Sequence, residues 1–146
     1  MTPQELTNKL DEIIDHSRTA VLATTDANKQ SHMRWMTPAM LKFRPREIFA
    51  FSIPGSAKLD HIHTNHNVQW MFQSRDLREI ITVEASANII DNPSIKTELM
   101  EIIGHRLGIF WKANVGAEEF VVLETAIKHA TYFLPMKGIR QNVNFA

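Results

Sequence analysis

The sequence predicts a small antiparallel β-barrel of six to seven strands with peripheral helices, a mainly β member of the α+β class. Three observations carry that prediction. Extended runs rich in β-branched and aromatic residues follow one another with short turns between most of them. Helical periodicity appears only at the start of the chain, after the third run and after the fifth, so the strict alternation of a doubly wound parallel sheet is absent. At 146 residues the chain is most economically one domain, 1–146, large enough to bury about two-thirds of the surface its unfolded form exposes. An open sheet with two covering helices is the alternative arrangement of the same elements.

Taken in order, residues 3–16 form an amphipathic pattern with Leu6, Leu10, Ile13 and Ile14 on one stripe, started by Thr2 before Pro3. Residues 19–25 are short and β-prone, 26–30 are turn-like, and 31–43 are extended again, which reads as a hairpin. Residues 44–47 predict a turn, and 47–51 a third strand that ends at Pro54-Gly55. Ser56 is a good N-cap for a short helix stopping near Asn65. Strands are expected over 68–72 and 79–90, the latter ended by Asp91-Asn92-Pro93. A helix over 94–103 presents Ile95, Leu99, Ile102 and Ile103, a loop or short helix is expected over 104–116, and two last strands over 119–124 and 126–133.

Composition narrows the function classes. Sixteen basic residues balance sixteen acidic ones, for a formal net charge of +0, so no global field draws the chain to nucleic acid or an anionic membrane. The absence of cysteine removes disulfides and thiolate metal sites and fits a reducing compartment. No cationic segment leads into an apolar one at the start, and no apolar run spans a bilayer, so the expectation is a cytoplasmic protein.

Two local features point to chemistry. Between the third strand and the second helix, Ser52-Ile53-Pro54-Gly55-Ser56-Ala57-Lys58 opens free backbone N–H groups beside a turn, a place that attracts anions. Lys58 lies in the first turn, where the helix dipole disfavours a cation unless an anion is bound; the other reading is a solvated lysine offset by Asp60. In the second strand, His32, Arg34 and Met36 share one face and Met33, Trp35 and Thr37 the other. A half-buried guanidinium among large apolar groups needs an anionic partner, either a carboxylate or a phosphate, and its planar fork suits a phosphate bidentately. His61, His63 and His66 do not share one helix face and do not read as a metal site, and no nucleophile–base constellation is visible, so no catalytic residue is named.

Residues 23–26 (Ala-Thr-Thr-Asp), Met33-Arg34-Trp35-Met36, Phe51-Ser52 followed by Gly55-Ser56-Ala57-Lys58, and Asn65-His66-Asn67-Val68 occur in an order that resembles the pyridoxamine 5'-phosphate oxidase-like flavin-binding split barrels, especially the general stress protein branch. The likeness runs from about Thr19 to Phe133. It implies a split barrel that binds flavin mononucleotide (FMN), with Arg34, Ser52, Ser56 and Lys58 at the phosphate and Trp35, Met36 and Phe51 nearer the ring or ribityl chain. It also implies a homodimer with each flavin between subunits, where Trp111 or Tyr132 would reach across. The implied activity is electron transfer between a reduced nicotinamide and a small acceptor; the alternative is a non-catalytic stress-response or binding protein for flavin, haem or deazaflavin. Two departures speak against vitamin B6 oxidase activity. Ala57 stands where the oxidase has a second arginine, and residues 138–146 show no counterpart of its basic substrate-gripping tail.

Overall fold

The computed structural model describes residues 1–104 and 120–146. The expected loop over 104–116, apart from Gly104, and Trp111 with it, lie outside the described residues. In chain order the elements are α1 (Pro3–Ser17), β1 (Ala20–Thr25), β2 (Ser31–Met36), β3 (Ala39–Leu41), β4 (Arg44–Ser52), α2 (Ala57–Thr64), β5 (Asn67–Gln73), β6 (Ile80–Ile90), α3 (Pro93–Ile103), β7 (Val121–Leu134) and β8 (Ile139–Asn144). The two longer helices begin as their sequences dictate. Thr2 Oγ1 accepts from the Glu5 amide at 3.1 Å before Pro3, and Asn92 Oδ1 accepts from the Ile95 amide at 3.1 Å before Pro93.

Every strand pairing is antiparallel, in the order β2-β1-β5-β6-β7-β4-β3, with β8 added beside β7. The two ends of that order, β2 and β3, are consecutive in the chain and separated only by Thr37 and Pro38. The three residue steps from Met36 to Ala39 span at most about 11 Å, so the sheet must curl until its edges nearly meet. The result is a mainly β split barrel, open at the β2–β3 seam.

Three boundaries differ from the sequence expectation, each for a physical reason. The single run expected over 31–43 divides at Thr37-Pro38, because the chain there leaves β1 as its partner and joins β4, and a proline has no amide to give either ladder. The turn expected at 44–47 lies instead at 42–43, and Arg44 already pairs with Leu41. The two strands expected over 119–133 are one strand, β7. Thr125, which lies between the two expected runs, is buried with its hydroxyl donating to the Ile48 carbonyl at 2.7 Å and accepting from the Trp70 indole at 3.0 Å. A hydroxyl satisfied in that way sits in a barrel interior at little cost. The register of β6 and β7 steps from Glu84↔His129 to Ala85↔Ile127, leaving Lys128 as the extra residue of a bulge. A further strand, β8, was not expected. Its signal is a weak period-two alternation that ends on the buried Val143 and Phe145.

Two apolar clusters share β4. Ile48 and Ala50 point into the barrel with Leu22, Trp70, Phe72 and the α1 stripe of Leu6, Leu10, Ile13 and Ile14. Phe49 and Phe51 point the other way, onto Ile95, Leu99 and Ile103 of α3. This alternation makes β4 buried on both faces near its end, where Ser52 is only 2% exposed.

Candidate functional site

β4 delivers Ser52 to the seam, and the chain then turns through Ile53, Pro54 and Gly55. Gly55 has φ of 81°, a left-handed conformation that a side chain would strain, although no neighbour stands within 4 Å of where its Cβ would be. Ser56 holds the N-cap position of α2 with extended backbone angles, but its hydroxyl does not cap the helix as expected. It faces back instead. Lys58 folds over the turn, and its Nζ donates to Ser52 Oγ and Ser56 Oγ at 3.1 Å each, while the two hydroxyl oxygens are themselves 3.1 Å apart. These three side chains form a compact polar knot against the end of β4.

β2 supplies the second cation. Arg34 pairs with Leu22 of β1, and its Nη1 donates to the Leu22 carbonyl at 3.2 Å. Arg34 and Lys58 line one cavity of about 220 Å³, together with Thr19, Trp35, Met36, Thr37, Phe51, Ser52, Ile53 and Ile103. Arg34 is on β2, whereas Lys58 is on α2, which follows β4 in the chain and packs on β1, so neither local sequence contains the other's position. Among the described residues, neither cation makes an ion pair with a carboxylate. Burial, and then the guanidinium of Arg34, hold the Lys58 ammonium below the usual lysine range; burial likewise lowers Arg34. Two partly buried like charges sharing a cavity are unfavourable when it holds only water, and an anion with two negative charges reverses the sign.

Of the residues expected at the site, Arg34, Trp35, Met36, Phe51, Ser52 and Lys58 line the cavity, and Ser56 stands directly behind Lys58. Phe51 is 6% exposed and its ring tilts against Phe120 at 5.8 Å, so most of its surface serves the α3 cluster. Thr19, Thr37, Ile53 and Ile103 were not expected. Thr37 and Ile53 had a sequence signal, the one as the next residue of the arginine strand and the other as part of the turn that leads to Lys58. Thr19 and Ile103 arrive from the α1–β1 junction and the end of α3 and depend wholly on tertiary packing. Tyr132, expected to reach toward a second subunit, is buried, with its hydroxyl donating to Glu79 Oε1. His66 Nδ1 lies 3.1 Å from the Ala87 carbonyl, and His61 Nδ1 lies 2.8 Å from Thr24 Oγ1.

On the outer face of the same hairpin, Met33 is 74% exposed and Trp35 80% exposed. Register places them beside Ala23 and Val21 of β1, and beyond these lie Gln69 and Met71 of β5. Together they border a second, mainly apolar hollow of about 650 Å³ that shares Arg34 and Trp35 with the first.

The sequence model of pyridoxamine 5'-phosphate oxidase matches residues 6–133, which include every element from β1 to β6 and nearly all of β7. The chain belongs to the pyridoxamine 5'-phosphate oxidase family. Comparison with curated proteins found no match. Among solved structures, general stress protein 26 from Bacillus anthracis is similar at 22% identity and a TM-score of 0.72, covering 94% of this chain and 98% of that one. A Clostridium acetobutylicum protein related to general stress protein 26 gives 9% identity and a TM-score of 0.73, covering 97% and 96%. An FAD-binding protein from Mesorhizobium loti gives 13% identity and a TM-score of 0.67, covering 86% and 91%. At these identities the likeness is one of fold.

Within this member of the oxidase family, the tail cation is remote from the cavity. Arg140 of β8 pairs with Phe133 and its guanidinium lies 3.9 Å from that ring, whereas Ser52 pairs with Val121 at the other end of β7. No described helix is long and apolar enough to cross a membrane.

Proposed function

We propose that this chain binds FMN with its phosphate between Arg34 and Lys58, and that two copies meet on the outer face of β2, β1 and β5 so that each flavin lies in their interface. The observation that carries the reading is the pair of cations in one cavity without a counter-charge among the described residues. Arg34 offers a planar fork and Lys58 a compact charge, the donor chemistry that suits a terminal phosphate. The hydroxyls of Ser52 and Ser56 complete the donor set, and Trp35, Met36 and Phe51 stand toward the ribityl chain or ring. Thr37 and Thr19 add hydroxyls at the cavity wall.

The dimer reading rests on size and exposure. A cavity of about 220 Å³ is smaller than the ~300–1,000 Å³ usual for a cofactor-sized ligand. It adjoins, through Arg34 and Trp35, the exposed hollow bordered by Met33 and Met71. A second copy covering that hollow both buries the apolar face and completes the site.

When bound, the flavin supplies the electron-transfer chemistry; the protein orients it and shields it from water. The proposed activity passes electrons from a reduced nicotinamide to a small acceptor in the cytoplasm. Ala57 and the distant Arg140 favour this over vitamin B6 oxidation. The test is the purified protein's colour and titration with FMN. A yellow protein bleached by a reduced nicotinamide and reoxidised by an acceptor supports the enzyme. Bound flavin without turnover leaves a binding protein, and a colourless protein indifferent to added FMN overturns the reading.

A further inference from the structure

We infer that Thr24 and His61, backed by His32 and Asp26, form a clamp that fixes Lys58 opposite Arg34, making them positioning residues for the phosphate end of the site; this rests on the phosphate reading above. The register of the β1–β2 hairpin puts two rungs of one face side by side, Leu22↔Arg34 and Thr24↔His32. On α2, Lys58 and His61 are three residues apart and therefore neighbours on one face. The helix packs on β1 with Lys58 at the arginine rung and His61 at the histidine rung. His61 Nδ1 lies 2.8 Å from Thr24 Oγ1, and its ring lies 4.6 Å from the ring of His32. His32 in turn donates from Nε2 to Asp26 Oδ2 at 2.8 Å. Asp26 is itself held, because its other oxygen accepts the amides of Asn28 and Gln30 at 2.8 and 2.9 Å.

A clamp is needed here for three reasons. α2 is only eight residues long, which is too short to be stable alone. It has no side-chain N-cap bond, and its buried apolar anchors are only Leu59 and Ile62. Arg34 meanwhile puts a like charge in the cavity that Lys58 lines, so the ammonium is held there against repulsion. The bond from the hairpin to His61 ties α2 to β1 about one helical turn along from Lys58. A site preorganised in this way does not spend binding energy on bringing its charges together.

Thr24 makes the inference testable, because at 1% exposure it is buried behind His61 and is not among the cavity-lining residues. Any effect it has on phosphate recognition is indirect, through His61 and α2 or through the β1–β2 hairpin that carries Arg34, and exchange in α2 separates the two routes. The experiment measures dissociation constants of FMN and of riboflavin, which lacks the phosphate, by flavin fluorescence in the wild type, Thr24→Val, Thr24→Ser and His61→Leu. Amide hydrogen exchange of each ligand-free protein is measured alongside. The expected result is a preference for FMN over riboflavin that falls at least fivefold in Thr24→Val and His61→Leu, and stays within twofold of wild type in Thr24→Ser. Exchange is expected to rise at least tenfold in α2 of Thr24→Val and not in β5–β7. An unchanged preference in the folded variants, equal weakening of both ligands, or unchanged α2 exchange overturns the clamp. A wild type that binds FMN no better than riboflavin instead overturns the phosphate reading itself.

Discussion

Replacing Lys58 by methionine separates the cost of the charge from its use. The methionine keeps most of the apolar stem while removing the ammonium that burial and Arg34 disfavour. It leaves no orphaned group behind, since the Ser52 and Ser56 hydroxyls remain 3.1 Å apart and bond to each other. The ligand-free variant is therefore expected to melt at or above the wild-type temperature. With FMN the sign reverses. One charge-assisted hydrogen bond to the phosphate contributes about 1.5–3 kcal/mol, so the dissociation constant should rise by about 10- to 150-fold, whereas riboflavin should lose less than threefold. Thermal denaturation with and without flavin, together with fluorescence titration, measures both halves. A folded variant that binds FMN within twofold of wild type would refute the assignment. A ligand-free variant that melts several degrees lower would show Lys58 to be a structural strut.

Three further outcomes are expected. Because the native Lys58 releases its proton below the unfolded value of 10.5, the empty protein gains stability as pH rises from the lowered value toward 10.5. A bound phosphate retains that proton, so the FMN-over-riboflavin preference should fall as pH rises through the same window; a preference flat to pH 10.5 contradicts it. Tyr132→Phe removes a bond to Glu79, which also pairs with Lys9 at 3.1 Å, and should cost about 1.5–3 kcal/mol in urea denaturation. Burial and Glu79 push the Tyr132 hydroxyl up to about 12, so that contribution should be complete below the usual value of 10 and vanish as pH rises through about 12. Met33→Asp places a charge on the 74% exposed apolar face and should convert a dimer to monomers in analytical ultracentrifugation, with FMN affinity lost in parallel. A dimer that persists with unchanged affinity would place the interface elsewhere.

The divide between what was legible in the residues and what was not follows the range of the interactions. Periodicity and turn chemistry are local properties, so the chain by itself determined the mainly β class, the three described helices, the β1–β2 hairpin and the turn that carries Ser56 and Lys58. Arg34 was legible as a cation in need of an anion, because its neighbours on the strand are apolar. Where its partners lie was not legible. The seam at Thr37-Pro38, the unbroken β7 across Thr125, and the arrival of Thr19 and Ile103 at the cavity depend on which strands pair, and that is decided by burial across the whole barrel. Lys58 and Arg34 are 24 positions apart in sequence, and only the curl that returns one sheet edge to the other sets them in a common cavity. The tertiary structure also decided which histidine meets the hairpin. His61 is one of three near one another in the chain, yet it alone of them bonds to Thr24, because helical geometry turns that side of α2, and no other, onto the hairpin beside the arginine.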